Sequence, residues 1–209
     1  GTTGLPKGVM TTHREALEVA LNYIFIMRLT YDDIALTTFP AYWAGPLYIS
    51  ILPQFHLGGT VVVLKEFNPQ VALELIEKEK VTNLLLASPL LVSLLGYPQL
   101  SKYDFKSLRC VIIAGSPTPE EVLKQAITTF GNIFIHVYGQ IEQTPLTYLP
   151  AKEWVKRPLS CGKEALNARV RVVNEEGQDV HPGEVGEVIS QGDNRTKGYW
   201  KLPEVTAET

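Results

Sequence analysis

Residues 109–121 read Arg-Cys-Val-Ile-Ile-Ala-Gly-Ser-Pro-Thr-Pro-Glu-Glu, and the fold class turns on them. Arg109–Ala114 is a short apolar, β-branched run, too short for a globular helix and suited to a strand. Gly115-Ser116-Pro117 then breaks it with small residues. Thr118-Pro119-Glu120-Glu121 has the spacing of a capping box, which predicts that a helix starts there. Working outward, the same unit repeats. Asn83–Ala87 and Ile133–Val137 are apolar strands, Thr60–Leu64 is a β-branched run after Gly58-Gly59, and Ile34–Thr38 alternates like a strand. Helices are expected between them. Thr12-His13-Arg14-Glu15 is another capping box, with Leu17, Ala20, Leu21, Ile24 and Arg28 following at helical spacing. Asn68-Pro69 opens a helix whose Ala72, Leu75 and Ile76 point inward. Short strands separated by helices of this length predict right-handed βαβ crossovers, hence an α/β fold with a largely parallel sheet covered by helices.

After Pro158 the pattern changes. Ala168–Val173 alternates arginine with apolar residues, Asn174-Glu175-Glu176-Gly177 is a turn, and Glu184–Ser190 is a strand. This predicts a small antiparallel β subdomain. The boundary is expected between residues 155 and 165, which divides the chain into 1–160 and 161–209.

The 209 residues are 45% hydrophobic and 20% charged, as in ordinary globular proteins. Nineteen basic and 22 acidic residues leave a net charge of −3 with no basic stripe, which argues against a nucleic-acid surface. No apolar run approaches the ~20 residues that span a bilayer. The first residues do not read as a secretory signal. Cys110 and Cys161 are isolated, so a reducing, cytoplasmic setting is expected. The four histidines show no ligand spacing, and no His/Cys metal site is expected.

Four segments carry chemistry. Gly1-Thr2-Thr3-Gly4-Leu5-Pro6-Lys7-Gly8 offers backbone amides, hydroxyls and one cation, the groups that hold a polyphosphate. It lacks the Walker spacing, and taken alone it also fits a plain glycine-rich terminus. Tyr138-Gly139-Gln140-Ile141-Glu142 follows a strand, where ligands of open parallel sheets sit. There a tyrosine can stack on a purine and a glutamate can hold Mg²⁺, although an ordinary turn would read the same way. Gly115-Ser116-Pro117, at a strand-to-helix turn, suits close backbone approach by a planar ring or an anion. Phe39-Pro40-Ala41-Tyr42-Trp43-Ala44-Gly45-Pro46 is an aromatic loop whose rings fit either a ligand gate or core packing.

In order and spacing these segments resemble the adenylate-forming superfamily of acyl-CoA ligases, luciferases and peptide-synthetase adenylation domains. The start is similar to that family's Thr-Gly-x-Pro-Lys-Gly phosphate loop, Phe39–Gly45 to its aromatic-gate loop, and Gly115–Pro117 to its adenine turn. Tyr138–Glu142 resembles its Tyr-Gly-x-Thr-Glu signature. Gly183–Glu187, Lys197-Gly198-Tyr199-Trp200 and Pro203–Glu208 look like the stretch before its ribose-binding aspartate.

The resemblance implies ATP and Mg²⁺ as cofactors, a small carboxylic acid (fatty or aromatic) as substrate, and coenzyme A as acyl acceptor. Thr2, Thr3, Gly4 and Lys7 would embrace the β- and γ-phosphates, and Lys7 and Glu142 would be catalytic. Gly115, Ser116 and Pro117 would border the adenine, with Tyr138 against its face and Gly139, Gln140 and Ile141 beside the nucleotide. Glu142 would hold the metal, and Trp43 and Gly45 would stand at the acyl gate. A carrier-protein thiol as acceptor, or nucleotide binding without catalysis, are the alternatives. The chain departs from the signature at Ile141, which has no hydroxyl; Thr144 is the nearest substitute. It is also expected to be a central fragment without the ribose aspartate, hinge and C-terminal lysine, and so inactive alone.

Overall fold

A computed structural model describes residues 6–208. Its elements are α1 (His13–Met27), β1 (Ile34–Thr37), α2 (Ala44–Pro46), which runs through a π-helical stretch (Leu47–Ile51) into α3 (Leu52–Leu57), and β2 (Thr60–Val63). Next come α4 (Pro69–Lys78), β3 (Asn83–Leu86), α5 (Ser88–Leu95), β4 (Cys110–Ile113), α6 (Glu120–Phe130), β5 (Phe134–Gln140) and β6 (Gln143–Pro150). The chain ends with α7 (Ala151–Trp154), β7 (Lys163–Glu164), β8 (Ala168–Val173), β9 (Glu187–Gly192) and α8 (Pro203–Ala207).

The large sheet has the order β2-β1-β3-β4-β5-β6-β7. The first five strands are mutually parallel, and β6 and β7 are antiparallel additions. Successive side chains of a strand point to opposite faces, and here both faces are covered. Leu84, Leu86, Val111, Ile113 and Phe134 pack with α4, α5, α6 and α7. Leu85, Cys110, Ile112 and Val137 pack with α1. Burial on both sides explains why these strands are continuously apolar. It also corrects one expectation: β1 does not alternate, because Ala35, Leu36 and Thr37 are all buried.

The Thr12–Glu15 capping box forms: the Thr12 hydroxyl accepts from Glu15 N at 3.2 Å, and the Glu15 carboxylate accepts from Thr12 N at 2.7 Å. α1 buries Val19, Ala20, Tyr23, Ile26 and Met27; of the apolar positions expected from the spacing, Ala20 is buried, Leu21 and Ile24 are half-buried and Leu17 is exposed. Asn68 caps α4 through Val71 N at 3.1 Å. The second capping box does not form. Pro119 is the N-cap residue of α6 without a side-chain bond, and Thr118 Oγ1 is buried without a partner among the described residues.

At the end of the sheet where β1 begins, Asp33 is buried and bonded to Arg109, whose Nε donates to Oδ1 at 2.7 Å. Arg109 also donates to Met27 O at 2.9 Å and Arg28 O at 3.1 Å, which ties the end of α1 to the sheet.

The two-stranded sheet β8-β9 follows as expected, with β9 starting at Glu187 rather than Glu184. β7 lies beyond the boundary expected at residue 160, yet it pairs with β6, so the chain leaves the large sheet after Glu164. No described helix is long and apolar enough to cross a membrane.

Candidate functional site

In a parallel sheet every strand delivers its following loop to the same edge. The strand order branches between β1 and β3, the switch point at which such sheets open a crevice. The aromatic loop leaves β1 there. The Thr38 hydroxyl donates to Leu85 O on β3 and fixes the loop's exit. Phe39 and Trp43 stack with centroids 5.9 Å apart and planes at 22°. Tyr42 is 84% and Trp43 51% exposed, so neither ring is core packing. A Cβ at Gly45 would meet Leu85 at an ordinary 3.7 Å.

Two strands along, β4 delivers the small-residue turn. Gly115 has φ +85°, in the left-handed region that favours glycine. A Cβ there would touch nothing, so its conformation rather than crowding calls for glycine. Ser116 Oγ is buried without a partner among the described residues. Ile113 pairs with His136 on β5, so two residues on, Gly115 stands level with Tyr138.

β5 runs further than expected, through Gln140, so Tyr138, Gly139 and Gln140 are strand residues and only Ile141-Glu142 forms the turn into β6. Register shifts between Tyr138 and Gln140. Gly139 sits at this irregularity, where a Cβ would come within 3.0 Å of Thr144 Oγ1 and 3.1 Å of Gln143 O. Tyr138 is 39% and Ile141 55% exposed. Pro117 is exposed at the same edge.

Lys7 and Glu142 lie far apart in the sequence but meet on one residue. Tyr199 donates its phenol hydrogen to Glu142 Oε1 at 2.5 Å, and Lys7 Nζ stands 4.6 Å from the centroid of the same ring. Backbone pairing enforces the arrangement: Met10 N donates to Gly198 O (2.9 Å), Lys197 N to Met10 O (3.1 Å) and Trp200 N to Gly8 O (2.7 Å). Thr196 N donates to Glu142 O at 2.7 Å and ties the β5–β6 turn to this pairing. A cleft of about 230 Å³ opens here, with Gln140, Glu142 and Tyr199 in its walls. A larger cleft, about 990 Å³, lies between the start of α1 and β8-β9 and shares Arg195, Thr196 and Lys197 with it.

The structure thus brings Lys7 and Glu142 together, and it delivers Trp43, Gly115, Ser116, Pro117 and Tyr138 to one sheet edge. Thr2, Thr3 and Gly4 lie outside the described residues. Tyr199 is the residue that sequence reasoning passed over: Gly198-Tyr199 was visible as a motif, but its contacts span the chain.

For a metal, Tyr199 engages one Glu142 oxygen and leaves Oε2. Among the described residues no three His, Cys, Asp or Glu gather to hold an ion. One carboxylate fits Mg²⁺, which is commonly held by one or two carboxylates together with substrate phosphates and water.

The profile of the family described as AMP-binding enzyme matches residues 1–200. The chain is 32% identical to a feruloyl-CoA synthase of Amycolatopsis sp, over all of this chain and 42% of that protein. It is 35% identical to a medium/long-chain-fatty-acid–CoA ligase of Mycobacterium tuberculosis, over all of this chain and 37% of that protein. The solved structure of an amide bond synthetase from Marinactinospora thermotolerans superposes with a TM-score of 0.90 at 30% identity, covering all of this chain and 42% of that one. The chain therefore spans about two-fifths of the length of the relatives it matches.

Proposed function

Because the chain belongs to the AMP-binding enzyme family, we propose that it is part of an ATP-dependent ligase that converts a carboxylic acid to an acyl-adenylate and passes the acyl group to coenzyme A. The observation that carries this reading is the meeting of Lys7 and Glu142 on Tyr199, beside an edge to which the sheet delivers Tyr138, Gly115 and Trp43.

In the reaction, a carboxylate oxygen attacks the α-phosphorus of ATP and the bond to the β-phosphate oxygen breaks. Pyrophosphate leaves, and an acyl-phosphate anhydride remains. A thiol sulfur then attacks the acyl carbon, and AMP departs with one of the acid's oxygens. Such a displacement is accelerated mainly by positioning and by stabilising developing charge. Lys7 supplies a fixed cation to the phosphates. Glu142 Oε2 would hold Mg²⁺, which when bound neutralises phosphate charge. Gly115 exposes backbone to the base and Tyr138 offers a ring face. Phe39 and Trp43 form an apolar wall suited to a fatty or aromatic acid, in keeping with the named activities of the two curated relatives. Unpaired Cys110 and Cys161 support a cytoplasmic setting. Since the chain spans two-fifths of its relatives, we assign turnover to the longest gene product that contains it and expect the 209 residues alone to be inactive.

A second reading, nucleotide binding without adenylation, is favoured by Ile141, which presents no hydroxyl beside Glu142. Acid-dependent exchange of labelled pyrophosphate into ATP, measured on the longest gene product containing these residues, separates the two. Exchange supports the ligase; ATP binding without exchange on fatty, aromatic and short acids supports the second reading.

A further inference from the structure

We propose that Tyr199 is a positioning residue that keeps Lys7 and Glu142 apart, so that the cation stays available to phosphate and the carboxylate to metal. The inference rests on the nucleotide-site reading above and adds a role for a residue outside the phosphate and carboxylate contacts themselves. Lys7 and Glu142 carry opposite charges and approach the same side chain, yet no ion pair joins them among the described residues. Tyr199 stands between them. Its ring face takes the ammonium, and its hydroxyl donates to one carboxylate oxygen. Aromatic faces attract cations without supplying a counter-charge, and a phenol donor orients a carboxylate while leaving its second oxygen in place.

The tyrosine is held rigidly enough to do this. It is 5% exposed. Its backbone N donates to Thr206 Oγ1 at 2.9 Å, and that hydroxyl donates to Leu202 O at 2.8 Å, so α8 braces it. Val9 bridges to it from the other side. The preceding Gly198 has φ +116°, and a Cβ there would collide with Thr206, 2.1 Å from its Cγ2. Glycine is therefore needed for the tyrosine to reach its place.

Two substitutions separate the two contacts. Tyr199→Phe keeps the ring under Lys7 and removes the donor to Glu142. Tyr199→Leu removes both and lets the two charges pair. The test is calorimetric titration with ATP, with and without Mg²⁺, on the longest gene product containing these residues, with circular dichroism confirming the fold of each variant. Tyr199→Phe is expected to retain metal-free affinity within about twofold and to lose about tenfold of the metal-dependent gain, the scale of one hydrogen bond to a charged group. Tyr199→Leu is expected to weaken metal-free binding as well. A Tyr199→Phe protein with the wild-type metal gain, or one weakened equally with and without metal, overturns the inference alone and leaves the nucleotide site standing. Failure of the unsubstituted protein to bind ATP overturns both. If Tyr199→Leu does not fold, the phenylalanine variant decides by itself.

Discussion

Tyr23, wholly buried on α1, hydrogen-bonds through its phenol to Thr144 Oγ1 at 2.8 Å. The bond anchors β6 two residues after Glu142, and it commits the Thr144 hydroxyl toward the core. Thr144 is thus a poor replacement for the hydroxyl absent at Ile141. Ile141→Thr should raise the rate of pyrophosphate exchange, by up to about tenfold given the strength of a hydrogen bond to a charged group. Ile141 is 55% exposed, so the change should leave thermal stability nearly unaltered. A loss confined to hydrophobic acids would instead mark Ile141 as part of the acyl site. A uniform loss on every acid would show that it merely packs the turn.

Asp33 and Arg109 predict an acid limb in stability. Burial pushes the Asp33 carboxyl up, but hydrogen bonds from Arg109, Thr82 and Thr30 outweigh it and hold it below the ordinary value. The unfolded chain therefore takes up the proton first. The contribution is complete above about pH 4, the unperturbed aspartate range, and is lost as pH falls through the lower folded value. Asp33→Asn should destabilise by about 2–3 kcal/mol, below the usual penalty for breaking a buried pair because Arg109 is partly exposed. It should also flatten the dependence of the urea midpoint on pH below about pH 4. An unchanged acid limb in the variant would assign that limb to other carboxylates.

The two thiols should react at very different rates. Burial on β4 pushes Cys110 up to about 12, whereas Cys161 is exposed. A thiolate is the reactive form. One equivalent of a disulfide reagent should be consumed quickly at pH 8 and the second only in denaturant. Rapid consumption of two equivalents by folded protein would contradict the placement of Cys110.

Tyr138 should matter for the nucleotide and little for the fold, being 39% exposed at the end of a well-paired strand. Tyr138→Ala should weaken ATP binding by about 1–3 kcal/mol, as expected for a base stacked on an aromatic ring. Unchanged affinity by calorimetry would remove Tyr138 from the site.

The parallel strands were legible because burial on both faces leaves Leu84–Leu86 and Val111–Ile113 as unbroken apolar runs. The inward face of α1 was legible only in part, at Ala20, because it also includes Glu15, Asn22 and Tyr23, which a hydrophobic pattern discounts. β6 escaped notice for a similar reason: Pro145 and Pro150 argue against a strand with neighbours on both sides. β7, however, pairs only at Thr147 and Tyr148, so Pro145 lies beyond that ladder. The failed cap at Thr118 shows that residue spacing alone does not place a hydroxyl at a helix start. Within the site, the small-residue turn and the aromatic loop follow strands and could be read locally. Tyr199 could not, since its role depends on backbone pairing between residues 8–10 and 197–200.

The most direct measurement starts from a carboxylic acid labelled with ¹⁸O in both carboxylate oxygens, incubated with ATP, Mg²⁺, coenzyme A and the longest gene product that contains these residues. Attack of the acid on the α-phosphorus predicts one ¹⁸O in the AMP and none in the pyrophosphate by mass spectrometry. Label appearing in inorganic phosphate with ADP as co-product, or no labelled nucleotide while thioester accumulates, would contradict acyl-adenylate chemistry at this site.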